Sequence, residues 1–574
     1  MRKHRRNAHN IATMAVKNAK YWLFATLFFY AIYDTMLVFL STRMGEILDI
    51  VNNVDLSARK ESLLNTAFVL GLSLLGALAS FLISSVFEAG YLQRVFRFTK
   101  EKFIQNVFAK TLPSFAKNDA AFYQSCLIND MKQIESTYFK PMITIIQKSI
   151  SIIIAMVFLM RYNVSVVLFV FISSLLPILF PNLFMKKLVS QMGAYSNSLE
   201  KYTLKTNEIL AGYEVFKNYN ADKPILDVHN KLNNECASAK RRAFFNMDFV
   251  TNTAVSASIF VTLGVLVLGM FLAIYGYLSI GEVFAISFIS SGVSEPFSSL
   301  SENIPRLRSS KSFLEKYACD AEQKHKSTLD ILLNSICLKD ISVSFETPIL
   351  NEVTITFELG KKYLIVGESG CGKSTLIKAM LGYFDNYGGQ VLYDGIPLSS
   401  LDMSSVYKQV AYVPQRTQFF QGTLRENLTL FDSSILDSTI FSVLKTVELA
   451  EKISTLVQGL DTTLSENAAN FSGGEKQRLA LARSILRGVT LYIFDEATSA
   501  LDAKTARSIE LRMAEHPSYT IISIAHRLSA DVLAHYDEII LMDEGVIVEK
   551  GSFASLAEQN GKFVELYNMQ KEDS

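Results

Sequence analysis

The sequence predicts two domains in series: a membrane α-helical domain of six transmembrane helices, then a cytosolic α/β domain built around a P-loop. Three observations carry this. Apolar residues make up 49% of the 574 and lift the mean hydropathy to +0.23, and the excess is concentrated between Tyr21 and about Ser301. After about Thr328 the composition is that of a soluble α/β domain. Within that second part, "YLIVGESGCGKSTLIKAM" reads as a buried strand, a Gly-rich loop and a helix. The chain is too long for one domain and too apolar for an ordinary soluble protein.

The N-terminal segment "MRKHRRNAHN" is basic, and a long apolar stretch begins at Tyr21. A secretory leader has a shorter apolar region and a small-residue cleavage site, so this stretch reads as a retained membrane helix. Stretches of about 20 apolar residues are long enough to cross a bilayer. Six occur, near 21–41, 64–87, 142–161, 164–185, 250–275 and 281–301. Short loops follow the first, third and fifth; long polar loops, near 89–140 and 186–249, follow the second and fourth. Basic residues are dense in the N-terminus (Arg2, Lys3, Arg5, Arg6) and in the long loops (Arg94, Arg97, Lys100, Lys102, Lys186, Lys187, Lys240, Arg241, Arg242). The positive-inside rule places these, and the soluble domain with them, in the cytosol. The long loops carry apolar residues at three-to-four spacing with charges between, as in "VFRFTKEKFIQNVFAKTL", so the second to fifth membrane helices are expected to continue well past the bilayer. The expected boundaries are 1–20 for the basic N-terminus, 21–315 for the membrane domain, 316–330 for a linker and 331–574 for the soluble domain.

A net charge of +1 predicts no nucleic-acid partner. The five cysteines, Cys126, Cys236, Cys319, Cys337 and Cys371, form no close CxxC pair and read as reduced thiols.

Gly367-Glu-Ser-Gly370-Cys-Gly372-Lys373-Ser374 fits G-x4-GK[ST]. Its glycines let backbone N–H groups close around a β-phosphate, Lys373 adds a point charge, and Ser374 offers a hydroxyl to Mg²⁺. "VTLYIFDEATSALD" is a second buried strand that ends in two acids. Asp495 is placed to reach Mg²⁺, and Glu496 to polarise an attacking water. A solvated turn is the plain alternative for an acid pair at a strand end; the apolar "LYIF" before it argues otherwise. A second phosphate-binding feature is "FSGGEKQRLALAR", where two glycines follow a serine at the head of an amphipathic helix, leaving free N–H groups.

These stations together resemble the ATP-binding-cassette (ABC) family, in order and at family spacing over roughly 335–570. The Gly-rich loop spans Gly367–Thr375, and Gln415 lies in "AYVPQRTQFFQGTLREN". Phe471–Glu475 resembles the signature LSGGQ, "SALD" at Ser499–Asp502 the loop after the acids, and His526 in "AHR" the switch histidine. The resemblance implies ATP and Mg²⁺ as cofactors. Its catalytic group comprises Glu496, His526, Gln415 and Lys373. Nucleotide contacts fall to Phe345, Gly367, Gly370, Gly372, Lys373, Ser374, Thr375, Gln415, Ser472, Gly473, Gly474, Asp495 and Asp502, and metal contacts to Ser374, Gln415 and Asp495. It also implies that two such domains face each other head to tail, the signature of one closing over the ATP of the other. That answers why one domain carries two phosphate-binding features.

The membrane half is similar to exporter-type half-transporters. "FAKNDAAFYQSCLIND", with Asn129-Asp130, and "EILAGYEVFKNY", with Glu208, Gly212 and Phe216, match the two intracellular loops, whose short coupling helices are expected near 116–122 and 209–216. Pro296 matches the proline of the last membrane helix. The chain departs from the family at several points. Phe345 stands where a tyrosine usually stacks on adenine. Ser465 and Ala468 replace glycines around Glu466 in "TTLSENAAN". Glu475 replaces glutamine.

The resemblance implies an ATPase coupled to transport across the cell membrane, of the bacterial plasma-membrane kind. It implies a dimer of half-transporters, export by alternating access, and a small-molecule, lipid or peptide cargo. An importer on the same fold, and a membrane-tethered ABC ATPase without transport, are the alternatives. Intact catalytic residues allow a homodimer, while the irregular "SENAAN" loop points to a non-identical partner. Pro177 and Pro181 in "SLLPILFPNLF" are expected to loosen the fourth span. Asp34, about 13 residues into the first span and so about 20 Å deep, and Glu295 in the last are candidate pathway carboxylates. Acids at such depth face a bundle interior or a water-filled cavity. The aromatic residues Phe28, Phe29, Tyr30 and Tyr33 suit a cationic or amphipathic cargo; hydrogen bonding to a neighbouring helix is the structural alternative.

Overall fold

The structure is a computed structural model; it describes residues 11–53, 56–118, 120–162, 164–317, 333–465, 468–525 and 527–572. The chain divides into two compact units. Residues 1–108 and 118–321 make the first, and 109–117 and 322–574 the second.

The first unit is all helix. Its main helices are α1 (Lys20–Asn53), α2 (Leu56–Phe108), α3 (Lys140–Leu159), α4 (Val164–Ser173), α5 (Leu176–Ala211), α6 (Tyr213–Asn218), α7 (Asp222–Ile274) and α8 (Ile280–Tyr317). The segment before α3 runs helically from Ala120 through two π turns, Cys126–Asp130 and Glu135–Phe139. At 53 residues each, α2 and α7 are about 80 Å long at 1.5 Å per residue. A hydrocarbon core is about 30 Å thick, so neither is confined to it.

Four helices among the described residues are long and apolar enough to cross a membrane: Lys20–Val51, Arg59–Phe108, Phe122–Leu159 and Asp222–Ile274. This differs from the six spans expected, for two separate reasons. The apolar run 164–185 is split at Ser174 and Leu175, leaving α4 as a short apolar helix. Pro177 lacks the N–H that would bond the Ser173 carbonyl, and its ring crowds that carbonyl, so the helix breaks two to three residues before the proline. Helix α8 is diluted by polar residues, among them Glu282, Ser287, Ser290, Ser294 and Glu295. Ser290 and Ser294 are nonetheless buried, with hydroxyls such as that of Ser290 satisfied by the helix's own carbonyls.

Helix α1 crosses α8 at two glycines. A Cβ on Gly281 would lie 2.1 Å from the Gly45 carbonyl oxygen, and one on Gly45 would lie 2.4 Å from that of Gly281. Only glycine permits this approach. Asp49 closes the crossing by accepting from the Gly281 N–H (2.9 Å) and the Ser279 hydroxyl (2.5 Å) at the start of α8.

The second unit holds a six-stranded sheet and a four-stranded antiparallel one. The strands are β1 (Ser335–Ser344), β2 (Pro348–Glu358), β3 (Lys362–Val366), β4 (Gly388–Tyr393), β5 (Ile396–Pro397), β6 (Val410–Val413), β7 (Gly422–Thr423), β8 (Thr463–Leu464), β9 (Leu491–Asp495), β10 (Thr520–Ile524), β11 (Glu538–Asp543) and β12 (Val546–Gly551). The larger sheet has the order β12-β11-β3-β10-β9-β6 and is parallel except at its β12 edge. Its central strands are apolar on both faces, as a doubly covered parallel sheet requires. Leu364 and Val366 of β3 pack into one core with Tyr492 and Phe494 of β9, while Tyr363 and Ile365 pack into the other with Leu491 and Ile493.

The short helix of the first loop is Leu112–Ala116, upstream of the expected 116–122, because Pro113 favours the first turn and the Thr111 side chain caps it. It groups with the second unit, where Lys117 pairs with Asp385 at 2.9 Å. The other short helix, α6, starts at Tyr213, after Gly212, rather than at 209.

Candidate functional site

The register of the six-stranded sheet builds the site. β3 and β9 both pair with β10, and Ile524 is level with Ile365 on one side and Asp495 on the other. The loop after β3 and the acids that end β9 therefore emerge side by side. The C-terminal edge of a parallel sheet is where such folds bind ligands.

Gly367, Gly370 and Gly372 have φ of +145°, +89° and +104°, conformations that suit glycine. Space forbids larger residues as well: a Cβ on Gly367 would lie 2.1 Å from the Met542 carbonyl oxygen, and one on Gly372 2.8 Å from Leu350. Lys373 is buried and folds back on this loop, its ammonium donating to the carbonyls of Gly367 (2.8 Å) and Glu368 (2.7 Å). The loop thus combines backbone N–H groups with one fixed cation, the pairing that holds a phosphate. Thr375 follows in the first turn of the helix Lys373–Met380.

Ser374 Oγ donates to Asp495 Oδ1 at 2.8 Å, and Tyr412 OH donates to Asp495 Oδ2 at 3.3 Å. Burial pushes the Asp495 carboxyl above its ordinary value, against these two hydroxyls. A hydroxyl and one carboxylate side by side are hard oxygen donors of the kind Mg²⁺ takes alongside phosphate. Gln415 Nε2 donates to Glu496 Oε2 at 2.7 Å, bringing these two predicted residues together. Glu496 has a φ of +54°, a strained conformation for a residue with a side chain. Phe345 is 65% exposed and meets Phe384 edge to face at 5.7 Å, leaving an aromatic face open. His526 and Glu466 lie outside the described residues.

Ser472 caps the helix Gly473–Ile485. Its Oγ accepts from the Glu475 N–H, and Glu475 Oε2 accepts from the Ser472 N–H at 2.9 Å. Glutamate serves this capping box as well as glutamine does, so the departure at 475 preserves the local geometry. Gly473 and Gly474 follow in the first turn, with Ala500 against both. Asp502, expected at the nucleotide, caps the helix Ala503–Ala514 by accepting from the Thr505 N–H at 3.0 Å.

In the first unit, Asp34 and Glu295 each have a partner. The Ser151 hydroxyl donates to Asp34 and lies 3.4 Å from the Tyr30 hydroxyl. Lys148 Nζ pairs with Glu295 Oε2 at 3.0 Å. Tyr33 packs between Tyr30 and Phe81 at ring distances of 6.0 and 5.1 Å. Sequence reasoning missed Lys148, although a lone lysine in "IIQKSISIII" is itself a signal of an acidic partner on a neighbouring helix. It also missed Tyr412 and Gln477, which lie in ordinary strand and helix patterns and are recognised only by what they touch.

Two family models match the chain: the ABC transporter transmembrane region over residues 23–297 and the ABC transporter domain over 350–499. The ATP-dependent lipid A-core flippase of Haemophilus ducreyi is 28% identical over 499 residues, covering 82% of each chain. The lactococcin transport/processing ATP-binding protein LcnC-like of Lactococcus lactis is 31% identical over 353 residues, covering 59% of this chain and 49% of its own length. Among solved structures, a bacterial Atm1-family ABC exporter with ATP bound superposes with a TM-score of 0.81 at 19% identity, covering 98% of both chains.

Proposed function

The chain belongs to the ABC transporters, with a membrane region and an ATP-binding domain fused in one polypeptide, and from that premise we propose that it works as one half of a dimeric exporter driven by ATP hydrolysis. It is a membrane protein and an ATPase coupled to transport. Half-transporters of this family generally dimerise. In the proposed dimer, Lys373 of one chain lies opposite Ser472 and Gly474 of the other. In this proposal the N-terminus and the ATPase domain are in the cytosol, and the α4–α5 segment and α8 join the four long apolar helices in spanning the bilayer.

The observation that carries the reading is the meeting of five side chains at the ends of β3, β6 and β9. Lys373 lies in the loop cradle, Ser374 is on Asp495, and Gln415 is on Glu496. Lys373 and the loop N–H groups hold the phosphates of ATP. Ser374, Asp495 and Gln415 would hold Mg²⁺, which supplies charge neutralisation at the phosphates. Glu496 accepts a proton from the attacking water, with Gln415 orienting it, and Phe345 stacks on the base. His526 is proposed as the switch residue.

Export is supported by relatives named as a lipid A-core flippase and as a lactococcin transport/processing protein. These also keep the cargo class open between lipid and peptide. Asp34, with Tyr30 and Tyr33 around it, favours a cargo with a cationic group. Glu295 is already balanced by Lys148, so Asp34 is the stronger candidate of the two. The test is reconstitution in vesicles. Mg²⁺-dependent ATP hydrolysis that drives cargo into inside-out vesicles, and that is lost in Glu496→Gln, supports the reading; cargo movement in the opposite sense would replace export by import.

A further inference from the structure

We propose that Gln477 is a positioning residue that ties each chain's signature segment to the same chain's Glu496, so that the two ATP sites of the dimer act cooperatively. The inference rests on the dimeric reading above.

Gln477 lies one turn into the helix that Ser472 caps, and its side chain is buried. Its amide makes three bonds, all to the turn that leaves β9. Oε1 accepts from the Ala500 N–H at 2.7 Å. Nε2 donates to Ser499 Oγ at 3.0 Å and to the Glu496 carbonyl at 3.4 Å. A primary amide is the neutral side chain that accepts from one group while donating to two. A carboxylate at this position keeps the acceptor and loses both donors; a leucine loses all three.

The neighbouring packing gives this turn little freedom to move independently of the helix. A Cβ on Gly474 would lie 3.1 Å from the Ala500 carbonyl oxygen and 3.2 Å from Leu501. From the other side Arg527 Nη1 donates to the Leu501 carbonyl at 2.8 Å. The backbone at Glu496 is in the left-handed region, held there by its surroundings. A displacement of the Ser472 end of the helix therefore reaches the Glu496 backbone through Gln477. In the head-to-tail dimer that end meets the partner's ATP, whereas Glu496 serves its own. Binding at one site then sets the geometry of the carboxylate at the other.

The experiment uses the full chain in its dimeric assembly in lipid nanodiscs and measures ATP hydrolysis against ATP concentration. The wild type is expected to show a Hill coefficient of about 1.5 or more. Gln477→Leu is expected to bring it to about 1 and to lower kcat about tenfold, while the Kd for a fluorescent ATP analogue stays within about twofold. Gln477→Glu is expected to fall between and carries the test should the leucine variant not fold. In mixed dimers with one Glu496→Gln chain, the intact site should run far below half the wild-type rate. With Gln477→Leu in both chains, the same mixed dimer should keep half of its own reference rate. A purely structural role would lower Tm and kcat and leave the Hill coefficient unchanged, and that result overturns the proposal. So does a wild-type coefficient of 1. A particle mass of one chain overturns the dimeric reading, and the coupling with it.

Discussion

Gln415 Nε2 donates to Glu496 Oε2 at 2.7 Å, joining the loop after β6 to the acid that follows β9. The two residues lie far apart in sequence but just beyond the ends of neighbouring strands, so the amide of one is aimed at the carboxylate of the other. A group that must hold and orient a water gains from such a partner, because the carboxylate is fixed before the water arrives.

Glu496→Gln should abolish turnover, by at least about 100-fold, and leave ATP affinity near wild type, since it removes only the proton acceptor. Lys373→Ala should instead weaken nucleotide binding, because it removes the fixed cation of the cradle. Equilibrium binding of a labelled nucleotide beside steady-state hydrolysis separates the two. Near-normal hydrolysis in a Glu496→Gln homodimer would sink the assignment.

Ala468 is fully buried with a φ of +50°, where the resembled family carries glycine. The left-handed conformation costs an alanine about 1–2 kcal/mol, offset in part by the greater freedom of a glycine in the unfolded chain. Ala468→Gly also deletes a methyl packed in the core, worth about 0.8 kcal/mol, so the terms nearly cancel and the stability of the second unit, read as its thermal midpoint, should change by no more than about 0.5 kcal/mol. A much larger loss would show that the left-handed turn costs the alanine little.

Glu475 gives a pH dependence of known sign. Partial burial works against its charge, but the Lys452 ammonium and the Ser472 N–H outweigh that and hold the carboxyl below its ordinary value. A carboxylate lowered on folding contributes stability above its unfolded pKa, and loses it as pH falls through the folded value. Glu475→Gln keeps the cap and loses the ion pair, so it should cost at most about 1 kcal/mol near neutrality. The variant and wild type should converge as the pH drops below the ordinary glutamate value. Thermal unfolding from pH 7 to pH 3 checks this; a gap that widens on acidification reverses the sign.

Pro177 sits where α4 gives way to α5. If mobility of this break serves transport, alanine at both Pro177 and Pro181 should slow transport more than basal hydrolysis, because it restores backbone hydrogen bonds across it. Equal slowing of both rates rejects a gating role.

Asp34→Asn should raise the half-saturating concentration of a lipophilic cation in stimulating hydrolysis, by roughly fivefold, about the worth of one partly desolvated charge contact. Glu295→Gln should do less, since Lys148 already neutralises that carboxylate. Should both variants keep wild-type stimulation and affinity, the two acids are structural ties between helices.

The sequence by itself determined the two-part architecture and the local patterns from which the proposed nucleotide site is built. The phosphate loop, the strand-end acids and the capped Gly-Gly helix are local patterns, and each is confined to a few consecutive residues whose backbone needs are written in glycines and apolar runs. It also exposed Ala468 as a departure, without showing that its backbone is left-handed. Tertiary structure alone decided which polar groups meet. Lys148 finds Glu295 from a different helix, Tyr412 finds Asp495 from a neighbouring strand, and Gln477 finds Ser499 and Ala500 from the signature helix. It also decided that the fourth apolar run breaks before Pro177, and that Gly45 meets Gly281. The physical reason is separation along the chain. Backbone preference and periodicity act over one or two turns, whereas a buried polar side chain takes its partner from whichever element the packing places within about 3 Å.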